Sequence, residues 1–199
     1  VHKIRKEKAI LTKNKVFETA IELIKEKGYN NVTISQICEK AGVAKGTFYV
    51  HYKSKEDIIK ESYYSDMGKF VLEQYEKLIS KNKNMSIKDK IEKFLISELM
   101  FTNHAGHEMT CRAYITNLTE SISEDSKHFE RRGFTKDLKL LILEGINQKV
   151  FETKQTADEI FLYLESFVRG FMASWCFSNG EFDIVEKGEI YIHEILKKL

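Results

Sequence analysis

The chain has 199 residues, 42% hydrophobic and 31% charged, with ten glycines and no proline, a composition that excludes a disordered or collagen-like polymer and favours helices. Three widely spaced cysteines, Cys38, Cys111 and Cys176, exclude a secreted disulfide framework, and the longest uncharged stretch near the apolar C-terminal region, Gly170–Gly180, has 11 residues where a membrane span takes roughly 20. The net charge of +2 divides unevenly, because residues 1–55 hold 12 Lys and Arg against 5 Asp and Glu while the rest hold 20 against 25. The expected compartment is the reducing cytoplasm, with no membrane partner. A basic segment joined to a mildly acidic one is what phosphate binding by one end requires.

A first helix is predicted from about residue 10 to Lys27, where Val16, Phe17, Ala20, Ile21 and Ile24 recur as one apolar stripe. Gly28 supplies a left-handed stop. Thr33-Ile34-Ser35-Gln36 fits a capping box, in which the Thr33 hydroxyl takes one orphan amide and Gln36 reaches back to another. The short helix it opens is ended by Gly42, and a second short helix from about Lys45 to His51 presents Phe48 to the core. Ser54-Lys55-Glu56-Asp57 then caps a long helix whose Ile59, Tyr63, Met67, Phe70, Val71 and Leu78 keep helical spacing to about residue 81. Further helices are predicted near 87–103 from Ser86, at 107–120, at 125–149, at 157–177 from Thr156 with Glu159, and at 184–198 from Asp183 with Glu186. The chain therefore reads as all-α, with about nine helices: an N-terminal three-helix helix-turn-helix domain over 1–55 and a larger helical body over 56–199.

In a helix-turn-helix unit the second helix enters the major groove, and small residues at its start let the backbone approach the DNA. That start here is Ala44-Lys45-Gly46-Thr47. Lys45 reaches a phosphate or a guanine edge, Thr47 a base or a thymine methyl, and Tyr49 and His51 project from the same helix with hydroxyl and imidazole donors. Phe48 and Tyr52 alternate inward, and Tyr52 completes the candidate DNA-binding set. Thr33 and Lys55 stand at helix N-termini, where backbone phosphates are held.

Around these residues the chain resembles the TetR family of transcriptional regulators. Gly28-Tyr29, Thr33-Ile34-Ser35-Gln36-Ile37-Cys38, Ala41-Gly42-Val43-Ala44-Lys45-Gly46-Thr47-Phe48-Tyr49 and His51-Tyr52-Lys53-Ser54-Lys55 follow its pattern in unbroken register over roughly 45 residues. Ala44 stands where the family more often has Ser, and Val50 where an aromatic is frequent, which removes one phosphate or base contact. The resemblance implies a homodimer that binds a partly palindromic operator in double-stranded DNA, its recognition helices roughly 34–36 Å apart. It also implies repression, relieved when a small molecule enters residues 56–199, the effector-binding and dimerisation domain.

In the larger body the helix from Thr156 carries an apolar face too wide for one neighbour, and the last helix adds a second. The resemblance pairs these two helices with their symmetry mates as a four-helix bundle, which makes Phe161, Val168, Met172, Ile184, Gly188, Ile192 and Ile195 the candidate dimer contacts. Candidate lining for an effector cavity is Tyr63, Met67, Phe70, Phe101, Met109, Tyr114, Phe134, Phe171 and Trp175, and the scarcity of charge among them favours an apolar or aromatic effector. His104, His107 and Cys111 fall near one helical face with borderline-soft donors, so a metal- or redox-responsive regulator is an alternative, although no fourth ligand is evident and neither a metal nor a cofactor is expected. No Walker, dinucleotide-binding, His-Glu-x-x-His or Gly-x-Ser-x-Gly motif occurs, which leaves an enzyme without chemistry. A helical interaction protein that binds no DNA is the rival from another class.

Overall fold

The computed structural model describes residues 2–82, 84–122 and 133–199, with side chains from residue 5 onward. The described residues form nine α-helices and no strand, and none of the helices is long and apolar enough to cross a membrane. They fall into two compact units, Val1–Ser62 and Tyr63–Leu199.

The first unit holds α1 (His2–Lys27), a 3-10 turn (Tyr29–Asn31), α2 (Ile34–Ala41), α3 (Lys45–His51) and the start of α4 (Lys55–Ser80). α1 begins eight residues before its apolar stripe suggests, because six of residues 2–9 are Lys, Arg, Glu or Ala, which favour helix by propensity without any periodic pattern. Gly28 at φ +80° closes it. The capping box forms as expected: the Gln36 amide donates to the Thr33 hydroxyl at 3.2 Å and the Thr33 amide donates to Gln36 Oε1 at 2.7 Å. Gly42, left-handed at φ 64°, turns the chain into α3. Val16, Ala20, Ile37, Ala41, Phe48 and Ile58, all without solvent exposure, make this unit's core.

The second unit holds the rest of α4, then α5 (Ile87–Ala105), α6 (His107–Ser121), α7 (Thr135–Asn147), α8 (Ala157–Phe177) and α9 (Ile184–Lys197). α5 is its centre, packed against α6, α7, α8 and α9, and its Ile91, Phe94, Leu95 and Leu99 are fully buried. α7 starts at Thr135 and not near 125; the intervening part of that expectation, residues 125–132, lies outside the described residues. Side-chain caps open three of these helices: Ser86 accepts from the Asp89 amide, Thr156 from the Glu159 amide, and Asp183 from the Val185 and Glu186 amides.

Candidate nucleic-acid interface and effector cavity

α3 is a helix of seven residues, so its orientation depends on what it buries. Phe48 is fully enclosed and its ring lies 6.0 Å from that of Tyr52, itself 3% exposed. With Phe48 inward, the 100° step of the helix puts Gly46 and Val50 on the opposite side and Tyr49 on a flank, while Lys45, three residues before Phe48, stands open at the helix N-terminus. All four are exposed, together with Ala44, while Thr47 and His51 are half-buried on the flanks. A Cβ added to Gly46 would meet nothing within 4 Å, so the glycine answers no packing need of this chain and leaves its backbone open to an approaching surface. The whole outward face is one cation, one phenol, one valine and bare backbone.

Two members of the expected DNA-binding set are placed elsewhere. The Lys55 ammonium donates to the carbonyls of Tyr29 at 2.8 Å and Val32 at 2.5 Å and sits 4.0 Å over the Tyr29 ring. It ties the turn after α1 to the start of α4 and is committed inside the unit. The Tyr29 hydroxyl in turn donates to the Glu56 carboxylate. Tyr52 is core: burial, reinforced by Glu61 and Asp57, pushes its phenol pKa upward, and its ring turns away from the outward face of α3 along with Phe48. Thr33 stays exposed at the N-terminus of α2, with its hydroxyl and amide held by Gln36.

In the second unit a cavity of about 300 Å³ is lined by Tyr63, Tyr64, Tyr114, Asn117, Leu118, Ser121, Arg169 and Met172. A second, of about 460 Å³, is lined by Cys111, Tyr114, Ile115, Leu118, Arg169, Gly170, Ala173, Cys176 and Phe177. The two share Tyr114, Leu118 and Arg169, so they adjoin along the α6–α8 seam. Tyr114 donates its hydroxyl to the Arg169 carbonyl at 2.8 Å, and Arg169 Nε donates to the fully buried Glu165 at 2.8 Å. The first cavity carries phenols, an amide and a guanidinium; the second is walled almost entirely by carbon and sulfur.

Of the expected lining, Tyr63 and Tyr114 reach these cavities, whereas Met67, Phe70, Phe101, Met109, Phe134, Phe171 and Trp175 are taken up by packing. Phe70 stacks on His104 at 4.6 Å, Phe134 faces Phe94, and Phe171 stacks on Phe167 at 5.6 Å. Trp175 donates to the Phe182 carbonyl at 3.1 Å. Large aromatics fill the interior because they bury the most area, and what they leave open is bounded by small and amphipathic residues. Exposed Ile115 and Leu118, three apart on α6, were the available signal for the cavity wall.

The expected dimer contacts are corrected as well. Phe161, Val168, Met172, Ile184, Gly188 and Ile192 are buried within their own chain and Ile195 is half-buried, while the outward apolar residues of α8 and α9 are Leu162, Tyr163, Phe177, Ile190 and Tyr191. The most apolar stripe of each helix serves the protomer core. His104, on Phe70, is apart from the other two candidate ligands: His107 Nε2 lies 3.0 Å from the Cys176 carbonyl and 3.4 Å from Cys111 Sγ. Among the described residues no group of three His, Cys, Asp or Glu could hold a metal ion. Burial and the neighbouring Cys111 thiol push the Cys176 thiol up to about 12, which keeps it protonated at neutral pH and leaves a redox response without a ready nucleophile at that position.

Residues 16–61 match the family model described as bacterial regulatory proteins, tetR family. Over 181 residues the chain is 26% identical to the fatty acid metabolism regulator protein of Bacillus subtilis, covering 85% of this chain and 86% of that one. Among solved structures it is similar to the Thermus thermophilus regulator FadR, a TetR-family repressor in complex with lauroyl-CoA, with a TM-score of 0.70, 15% identity and 93% of each chain covered. The Bacillus subtilis FadR in complex with stearoyl-CoA superposes with a TM-score of 0.64 at 21% identity, covering 93% of this chain and 98% of that one.

Proposed function

We propose that this chain, whose residues 16–61 match the model for tetR-family bacterial regulatory proteins, is a homodimeric repressor that reads a palindromic operator with α3 and releases it when an apolar-chain effector fills the α6–α8 cavities. The observation that carries the reading is the outward face of α3. Lys45 supplies the charge for a phosphate or guanine edge, Tyr49 a hydroxyl, Gly46 the close approach, and Ala44 no obstruction. The exposed N-terminus of α2, which Thr33 caps, adds a contact to the DNA backbone. The role is regulatory, and catalysis has no motif to run on.

Dimerisation through α8 and α9 uses Leu162, Tyr163, Ile190 and Tyr191, an apolar set on the outward sides of two adjacent helices that an isolated protomer leaves in water. For the effector, the carbon-lined second cavity suits an alkyl chain and the phenol- and guanidinium-lined first cavity suits its polar end. The lauroyl and stearoyl thioesters of coenzyme A bound by two similar structures are the first compounds to test. Whichever ligand binds must prefer the DNA-free state, because an effector shifts a conformational equilibrium only by its difference in affinity for the two states.

Selection of duplexes from a random pool by the full chain tests DNA binding, palindromy and half-site spacing together. The expected result is an enriched inverted repeat whose affinity falls steeply with salt and drops again on adding an acyl thioester. Recovery of unenriched sequence would overturn the operator reading, and enrichment that no effector weakens would overturn the release.

A further inference from the structure

Val50 is the one residue on the outward face of α3 that chemistry leaves without an assignment. It is 78% exposed, more than Tyr49 at 57%, although it neighbours the enclosed Phe48. It stands one helical turn after Gly46, whose missing side chain leaves open space directly below it on the same face. A β-branched side chain is a poor choice for the exposed side of a helix and gains nothing here from packing. Its exposure therefore points to a surface that α3 meets.

What a valine can recognise on DNA is narrow. It offers neither donor nor acceptor, so phosphate oxygens and the polar edges of bases give it no partner. In the major groove the base pairs present a single apolar group, the 5-methyl of thymine. Val50 lies about 6 Å along the helix axis from Gly46 on the same face, about two base steps of 3.4 Å, so the open backbone and the valine meet one stretch of groove. We propose that Val50 reads the 5-methyl of a thymine in each operator half-site, an inference that rests on α3 being the DNA-reading helix.

Deoxyuridine supplies the test, since it differs from thymidine by that methyl alone. Duplexes selected by the full chain are remade with each half-site thymine replaced singly by deoxyuridine, and affinity is measured for the parent protein and for Val50→Ala. At one thymine the parent is expected to lose about fourfold, the worth of one buried methyl, and roughly fifteenfold when both half-sites are changed. Val50→Ala should bind thymine and uracil duplexes alike at that position while keeping the parent's sensitivity at all others. At 78% exposure the residue has little packing to lose, and unchanged circular dichroism and melting verify the fold. If Val50→Ala keeps the parent's response at every thymine, or if no half-site thymine responds, the proposal is overturned while the DNA-reading role of α3 stands. Failure to select any duplex would overturn both.

Discussion

Gly188 of α9 lies directly against Leu99 of α5: a Cβ added to the glycine would overlap the Leu99 Cδ1 and would stand 3.5 Å from Cε1 of Phe171. Leu99 is fully buried, so its Cδ1 must shift within packed surroundings. Gly188→Ala gains about 1 kcal/mol of helix propensity and loses about 1–3 kcal/mol to overpacking, so a net loss of stability is expected in urea unfolding. A stabilised variant would show that α5 and α9 yield more readily than their packing indicates.

The Lys55 ammonium holds two carbonyls and a ring. Lys55→Ala should lower the unfolding free energy by about 1–2 kcal/mol, the range for hydrogen bonds to a charged group discounted for partial exposure. Chemical denaturation measures it. Unaltered stability with weakened DNA binding would restore a phosphate-contacting role to this lysine.

On α3 the opposite separation is expected. Lys45→Ala and Tyr49→Ala should each weaken the selected operator by about 1–3 kcal/mol with the melting temperature unmoved, because both side chains are exposed. Parent-like operator binding by both variants would mean that another face reads the DNA.

How much of this was legible in the sequence differs between the two units. Caps and stops are local chemistry, so Thr33 with Gln36, Gly42, Thr156 with Glu159 and Asp183 all stand where the residues alone place them. Phe48 was readable as the inward anchor, and with it the turn of Tyr49 away from the core. Lys55 was not, since the carbonyls that capture it belong to a turn more than twenty residues earlier. In α8 and α9 an apolar stripe looks alike whether it meets its own core or a second copy. Gly188 and Ile192, expected at the dimer face, are buried in their own protomer, and Tyr191 beside them is exposed.

The dimer face separates in the same way. Tyr163→Glu and Tyr191→Glu, each on an outward surface, should shift sedimentation towards the monomer with little change in protomer helicity. Ile192→Ala should instead cost about 2–5 kcal/mol of stability through the cavity it opens. A Tyr191→Glu protein that remains dimeric at micromolar concentration would move the interface off this face.

Acid should loosen the caps. Burial raises the Glu56 pKa, but hydrogen bonds from Tyr29, its own backbone and Ser54, with Lys55 nearby, outweigh it and hold the group below its ordinary value of 4.5. Glu159 is lowered by the Thr156 amide and hydroxyl. A carboxyl depressed in the folded state contributes stability that is complete above its unfolded pKa and is lost as pH falls through the folded one. Urea midpoints should therefore be level near neutrality and decline below about 4.5, and Glu56→Gln should flatten part of that decline. A decline that Glu56→Gln leaves untouched would place its origin in other carboxylates.

The internal position of Lys55 also reaches the thermodynamics of DNA binding. An ammonium held by two carbonyls and a ring displaces no condensed cation from a duplex. The slope of log affinity against log salt is then set by the outward cations, Lys45 among them, at about 0.9 for each neutralised phosphate. Removing Lys55 leaves that slope where it was, removing Lys45 from a phosphate lowers it by about one such step, and the positive excess of residues 1–55 counts more charge than the operator feels.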